Sequence, residues 1–323
     1  MSVRNSCTDV TADSNKMITA NKLRIGYLVG TSHCGSTLMA VLMNSHPQVA
    51  SVGEVSPNRR ILRQNTTQFP CSCGEPISTC EFWQQLFKDL ESHSFAFSAT
   101  QWPHRYRYPN PLLHRLLTQD SSSTWIGTMR KIAGAIMPFH RRRVAHADKA
   151  NVAFVAAILN RANASLFFDT SKRLPRLNRL LKIPTFDVRV VRIVRDPRAF
   201  ARSMRRKGAT PESAARRWKD HHHATDRFMQ RLPAEQVLTL RYEDLCRQPS
   251  ASILRLCEFL EIARWDVPTQ FDAAEHHIIG NSMRKGGRMN IILDDKWRRE
   301  LTVAEIHAVE SIAGDLLPRF GYA

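Results

Sequence analysis

The sequence predicts an α/β fold, a central and mostly parallel sheet flanked by helices, with a mostly helical insertion as a cap. Three observations carry that expectation. Short β-branched or aromatic runs alternate with stretches of helical spacing, the pattern of βα units. The first of these runs ends in a glycine-rich turn that opens directly onto a helical pattern. The stretch from Ser56 to Ala150 breaks the alternation; it holds a cysteine cluster, several prolines, the serine patch Ser121 to Ser123 and the basic run His140 to Arg143.

The elements follow in order. Met1 to Asn21 reads as a loose leader, polar and without the apolar core of a secretory signal. Residues 22–323 read as one domain, with 56–150 as its insertion. Leu23 to Gly30 is an apolar run closed by glycine, which suits a buried strand. Ser36 to Ser45 has helical spacing and is stopped by His46-Pro47. Beyond the insertion, Ser165 to Asp169, Val188 to Val194 and Val237 to Leu240 are strand-like. Pro197 to Lys207, Pro211 to Arg231 and Pro249 to Leu260 are helical, each with proline in its first turn.

Composition narrows the function. Among 323 residues, 47 are Lys or Arg against 29 Asp or Glu, a net charge of +18 that calls for an anionic partner. No apolar run approaches the ~20 residues of a bilayer-spanning helix. An odd count of seven scattered cysteines fits reduced thiols in a cytoplasm better than a disulfide framework.

Gly30-Thr31-Ser32-His33-Cys34-Gly35-Ser36-Thr37 has the glycine spacing of a phosphate-binding P-loop. Glycines let the backbone curl so that several N–H groups face one anion, and the following helix adds its positive end. A nucleoside triphosphatase places Lys where this chain has Ser36, so the cradle is kept and the hydrolytic lysine is not. A second segment, Val191 to Arg198, ends a strand at Arg195 and is followed by Ser203. An arginine at a strand end and a serine one or two turns into the next helix grip one phosphate from two sides. Gly280 to Gly286 is a glycine-flanked basic turn.

Four further segments lie in register with these: His46-Pro47 with Gly53-Glu54, Asp169 to Lys172, Tyr242 to Leu245, and Gly280-Asn281 with Met283-Arg284, trailed by Trp297. Together, from Leu23 to about Leu301, they resemble the PAPS-dependent sulfotransferase superfamily, and Cys71-Ser-Cys-Gly74 with Cys80 and Trp83 adds a likeness to its bacterial-type members. The resemblance implies a P-loop NTPase-like central sheet. It implies transfer of a sulfuryl group from 3′-phosphoadenosine 5′-phosphosulfate (PAPS) to a hydroxyl or amine of a carbohydrate, lipid or small metabolite, releasing 3′,5′-ADP. That chemistry requires no metal. Thr31, Ser32, His33, Cys34, Gly35, Ser36 and Thr37 would hold the 5′-phosphosulfate; Arg195 and Ser203 would hold the 3′-phosphate, helped by Arg284, Lys285 and Gly286. PAPS carries about four negative charges at pH 7, which the basic excess suits.

One departure stands out. Family members usually carry Lys or Arg where this chain has His33, a cation beside the departing oxygen. An imidazole serves there as His⁺ or as a hydrogen-bond donor. Lys172, at a strand end, is the candidate to supply a fixed cation instead. For the base that takes the acceptor proton, Glu54 is the first choice, with His33 and Asp169 as alternatives; an ion pair of Glu54 with Arg59 or Arg60 is the competing structural role.

Other features read as structural. Cys71, Cys73 and Cys80 with His93 or His104 offer a zinc set, although the spacing is not that of a finger, and a loop of thiols or a disulfide fits as well. His221 to His223 cannot share one metal from a helix and reads as a solvated face. The run His140 to Arg143 reads as a solvated charge run rather than a contact for an acidic acceptor. Trp102, Tyr106 and Tyr108 read as packing of the cap rather than an acceptor platform. The rival functions are a P-loop kinase or NTPase, for which Asp169 is the one candidate Mg²⁺ ligand, and a basic nucleic-acid-binding module, for which no finger, homeodomain or RNP-like motif is present.

Overall fold

The computed structural model describes residues 22–55, 69–106, 137–268, 270–280 and 288–322. The leader, residues 56–68 and 107–136 of the insertion (Arg59, Arg60 and Tyr108 among them), and Arg284, Lys285 and Gly286 lie outside them.

The core is a five-stranded parallel sheet in the order β2-β3-β1-β4-β5. Its strands are β1 (Leu23–Val29), β2 (Val49–Ala50), β3 (Leu166–Lys172), β4 (Phe186–Val194) and β5 (Val237–Arg241). The first expected strand thus ends one residue early, at Val29, and the other elements agree within a few residues. β1 occupies the centre and is covered on both faces, which is why it reads as an unbroken apolar run. Its side chains alternate: Ile25, Tyr27 and Val29 point into one apolar layer, and Leu28 points into the other.

The layer under Ile25 and Tyr27 is closed by helices α1 (Glu81–Ser92) and α2 (Pro138–Ala162), through Trp83, Leu86 and Phe154. α1 and the start of α2 are the helices among the described residues of the insertion; its other described residues, 69–80 and 93–106, are turns and irregular chain rather than the helix expected. Trp102 is buried against Trp83 and Phe87. The Tyr106 hydroxyl donates to Asp148 at 2.6 Å. Both therefore pack the cap. Arg141, Arg142 and Arg143 are exposed on the first turns of α2.

The opposite layer is formed by α3 (Ser36–Asn44) and α4 (Pro249–Leu260), with Tyr242 and Leu245 between them. A third layer joins α5 (Pro197–Arg205) and α6 (Pro211–Met229) to α7 (Val303–Ala313) around Trp218 and Phe320.

The histidine run on α6 is not a solvated face. His222 is fully buried, edge-on to Trp218 at 4.4 Å, and its Nδ1 accepts from Arg192 Nη2 at 3.0 Å. Arg192 in turn pairs with Asp226 at 2.6 Å. Helical spacing placed one of three consecutive histidines toward the core, and an arginine donor made burial of its neutral form acceptable.

Among the described residues no helix is long and apolar enough to cross a membrane. A cavity of about 400 Å³ lined by Gln48, Leu159, Asn163 and Ser165 lies at the amino ends of β2 and β3. That is the edge opposite to the glycine loop.

Candidate functional site

Loops at the carboxyl edge of β1, β3 and β4 converge, the edge at which open α/β sheets bind ligands. The loop after β1 turns through Gly35 at φ +91°, and a Cβ there would stand 2.5 Å from the Tyr242 ring, so only glycine fits. α3 then starts at Ser36 with no side-chain cap and no acidic residue in its first turn. The starts of α5, α6 and α7 are capped by Asp196, Thr210 and Thr302. The first N–H groups of α3 are thus left for an anion.

Lys172 enters from β3. The pairing of β1 with β3 slips between Tyr27↔Asp169 and Val29↔Lys172, and Lys172 itself sits at φ +66°. The bulge re-aims the side chain toward the loop. Its Nζ donates to Ser36 Oγ at 2.9 Å, to Glu54 Oε1 at 2.8 Å and to the Thr170 carbonyl at 3.2 Å. All three ammonium protons are engaged.

Glu54 is set by its neighbours. Gly53, at φ +74°, lies so close to Ile279 that a Cβ would come within 2.2 Å of that carbonyl. The Glu54 N–H donates to the same carbonyl at 2.7 Å, and Val55 N–H donates to Ser171 Oγ at 3.1 Å. Among the described residues the ionic partner of Glu54 is Lys172, at 2.8 Å; Arg59 and Arg60 lie outside them.

Arg195 faces the loop. Its Nη1 donates to the His33 carbonyl at 2.6 Å, and its Nη2 donates to Asp294 Oδ2 at 2.9 Å. The guanidinium lies 4.6 Å over the Tyr242 ring, and Trp218 Nε1 donates to the Arg195 carbonyl at 2.9 Å. Tyr242 thus floors both Gly35 and Arg195. Its neighbour Glu243 accepts from the Asp196 N–H at 3.0 Å and from the Tyr322 hydroxyl at 2.7 Å, bracing the start of α5. Trp297 is stacked beneath Arg198 at 4.4 Å. The Ser203 hydroxyl donates to the Ala199 carbonyl of its own helix at 2.9 Å, a bond it must exchange to meet a phosphate.

Burial, then the positive charges of Lys207, Arg195, Lys172 and Arg206, push the His33 imidazole down to about 4. That direction favours the neutral imidazole, which can donate a hydrogen bond but carries no fixed charge. Asp169 is fully buried and holds Arg176 at 2.8 Å, so it is committed to the fold rather than to an acceptor proton or a Mg²⁺ ion. His46 bonds the Ala263 carbonyl at 2.9 Å and accepts from the Gln48 N–H, a structural role.

Sequence reasoning missed Lys207, Arg206 and Asp294. The first has a signal: Lys207 is one helical turn past Ser203, on the same side. Asp294 has none. Burial works against its ionisation, but the Arg195 hydrogen bond and the charges of Arg195 and Arg202 hold it below the ordinary carboxylate range.

The set fits an anionic nucleotide. Three buried polar atoms around the loop that could donate have no partner among the described residues: Thr31 Oγ1, His33 Nε2 and Arg195 Nε. Groups of this kind are completed by a polar ligand.

The neutral imidazoles carry a stability consequence. His222 is also held well below 6.5, by burial and then by Arg192. The unfolded chain takes up these protons near 6.5, whereas the folded chain resists until much lower pH. Stability is therefore whole above about 6.5 and drains as pH falls toward about 4. Thermal melts from about pH 7.5 to about pH 5 should show a falling Tm; an unchanged Tm contradicts the assignment.

The cysteines of the insertion gather with neither expected histidine. His93 is exposed and bonds the Asp89 carbonyl. His104 is buried, stacked between Phe97 and Phe154. Cys71, Cys73 and Cys80 meet His277 instead.

Residues 27–267 match the family described as Sulfotransferase family. No protein of curated function matches the chain. Among solved structures it is similar to the sulfotransferase domain of the Synechococcus PCC 7002 olefin synthase, at 18% identity over 91% of this chain and 96% of that one, with a TM-score of 0.44. The sulfotransferase domain of the curacin biosynthetic pathway gives 16%, 94%, 99% and 0.48 in the same order. Sulfotransferase STF9 of Mycobacterium avium gives 15%, 96%, 80% and 0.46.

Proposed function

For a chain that belongs to the sulfotransferase family, and hence to PAPS-dependent enzymes, we propose that the cluster of Ser36, Lys172 and Glu54 is the transfer centre. We propose too that the acceptor is a hydroxyl or amine of a carbohydrate, lipid or small metabolite. The observation that carries this reading is the Lys172 ammonium, held between the anion loop and the carboxylate.

Sulfuryl transfer is an in-line displacement, so the chain's work is positioning and charge stabilisation. The loop N–H groups from Cys34 to Thr37, with the Ser36 and Thr37 hydroxyls, bind the 5′ end. Arg195 and Ser203 bind the 3′-phosphate; Arg284, Lys285 and Gly286 are assigned there by their motif. Lys172 places a fixed positive charge at Ser36, where the leaving oxygen gains charge, which is the service His33 does not provide while neutral. Glu54 Oε1, paired with that ammonium, accepts the acceptor's proton as the new S–O or S–N bond forms.

Glu54→Gln tests the reading. Turnover should fall by about 10²–10⁴-fold, the usual weight of a general base, with the Kd for 3′,5′-ADP within a few fold of wild type. A turnover close to wild type removes Glu54 from the role.

A further inference from the structure

Cys71, Cys73, Cys80 and His277 bring four ligand atoms within 4.8 Å of one another, although 197 to 206 residues separate the histidine from the cysteines it meets. The distances have a meaning. Cys73 Sγ lies 3.6 Å from Cys80 Sγ, and His277 Nδ1 lies 3.4 Å from Cys80 Sγ and 3.7 Å from Cys71 Sγ. Zinc bonds of about 2.3 Å to sulfur and about 2.1 Å to nitrogen set tetrahedral edges of about 3.8 Å (S···S) and about 3.6 Å (S···N). Three of the six edges are thus within about 0.2 Å of those of such a tetrahedron, and all four ligand atoms lie within 4.8 Å of one another.

The surroundings are those of a metal knuckle. Each sulfur accepts a backbone N–H: Cys71 from Cys73, Cys73 from Glu75, and Cys80 from Trp83 in the first turn of α1. The His277 ring is fixed by stacking on Phe82, with centroids 4.8 Å apart and planes 3° from parallel. His277 itself is turned to φ +48°, a backbone strain that aims its Nδ1 at the sulfurs. The Ile278 N–H donates to Ser72 Oγ at 2.7 Å, a second tie between the two segments. Cys71 and Cys80 are buried, and all three cysteines are unpaired. A disulfide would use two of the sulfurs and leave the third thiol and the imidazole converging for no reason.

We propose that Cys71, Cys73, Cys80 and His277 bind one structural zinc ion. On binding, the three thiols release their protons to water as the Zn–S bonds form, and the neutral imidazole gives its Nδ1 lone pair. The coordination sphere is closed, as in structural rather than catalytic sites. The ion ties the loop 70–80 to the segment 277–280. That segment supplies the carbonyl that holds the Glu54 N–H, packs Gly280 against Thr37, and leads into the basic turn. The metal thus braces the rim of the anion site without taking part in the transfer.

The whole chain, purified untagged and reduced, should contain one zinc per molecule by elemental analysis. Exchange with cobalt(II) should give the intense visible bands of a tetrahedral site with sulfur-to-cobalt charge transfer. His277→Ala and Cys73→Ser should each cut the bound zinc at least about 10-fold. Should these variants fail to fold, the cobalt spectrum of the wild-type chain stands as the test. A folded, reduced wild-type chain that takes up neither ion overturns the proposal.

Discussion

Lys172→Met should lower kcat by about 10²–10³-fold, the weight of one preorganised donor at a centre of developing charge. Methionine keeps the length and apolar stem of the side chain and removes only the ammonium. Glu54, which is one-third exposed, then passes to water, so the fold should survive and the Tm should move little. Because 3′,5′-ADP lacks the sulfuryl group that the proposed function sets beside Lys172, its Kd should change far less than kcat. This split separates transition-state stabilisation from uniform binding. Rescue sharpens the point. Adding His33→Arg to the variant should restore part of the lost rate, since it returns a fixed cation to the loop position. A Lys172→Met enzyme with wild-type turnover would show that the ammonium only steadies Glu54.

The second large effect concerns Arg195. It is buried, and its guanidinium is oriented by the His33 carbonyl, Asp294 and the Tyr242 ring together. Removing one member of such a desolvated, hydrogen-bonded charge pair costs about 2–5 kcal/mol, or about 30- to 5,000-fold in affinity. Arg195→Ala should therefore raise the Kd for 3′,5′-ADP by at least about 30-fold. Asp294 offers a control of opposite sign. Its carboxylate occupies Nη2, an N–H that a phosphate would otherwise take. Asp294→Asn should tighten 3′,5′-ADP binding, because a neutral amide competes less well for the guanidinium. Weaker binding in that variant would mean that Asp294 positions Arg195 rather than competing with the phosphate.

The local parts of this site were legible in the sequence, and the long-range parts were not. Strand, glycine curl and helix from Leu23 to Asn44 are written in apolar periodicity and glycine spacing, which act over a few residues. The proline starts of α4, α5 and α6 are local in the same way. Lys172 could be named as a candidate, but its meeting with Ser36 and Glu54 depends on a bulge in β3 and on contacts across 136 and 118 residues. No spacing rule reaches that far. His277 is hidden from the cysteines for the same reason, and His93 and His104 were preferred only because they lie nearby in the chain. The histidine run on α6 shows a different limit. Period alone states that three consecutive residues diverge, but not which one meets the core; Arg192, arriving from β4, decides it.

The proposed enzyme has a pocket with two anion grips, one in the curl at Gly35 and Ser36 and one at Arg195 and Ser203. Calorimetric titration of the wild-type chain with 3′,5′-ADP and with 5′-AMP compares ligands that differ in the 3′-phosphate alone. The 3′-phosphate should tighten binding by at least about 30-fold. Equal affinities, or no binding of either nucleotide to the folded chain, would contradict that arrangement.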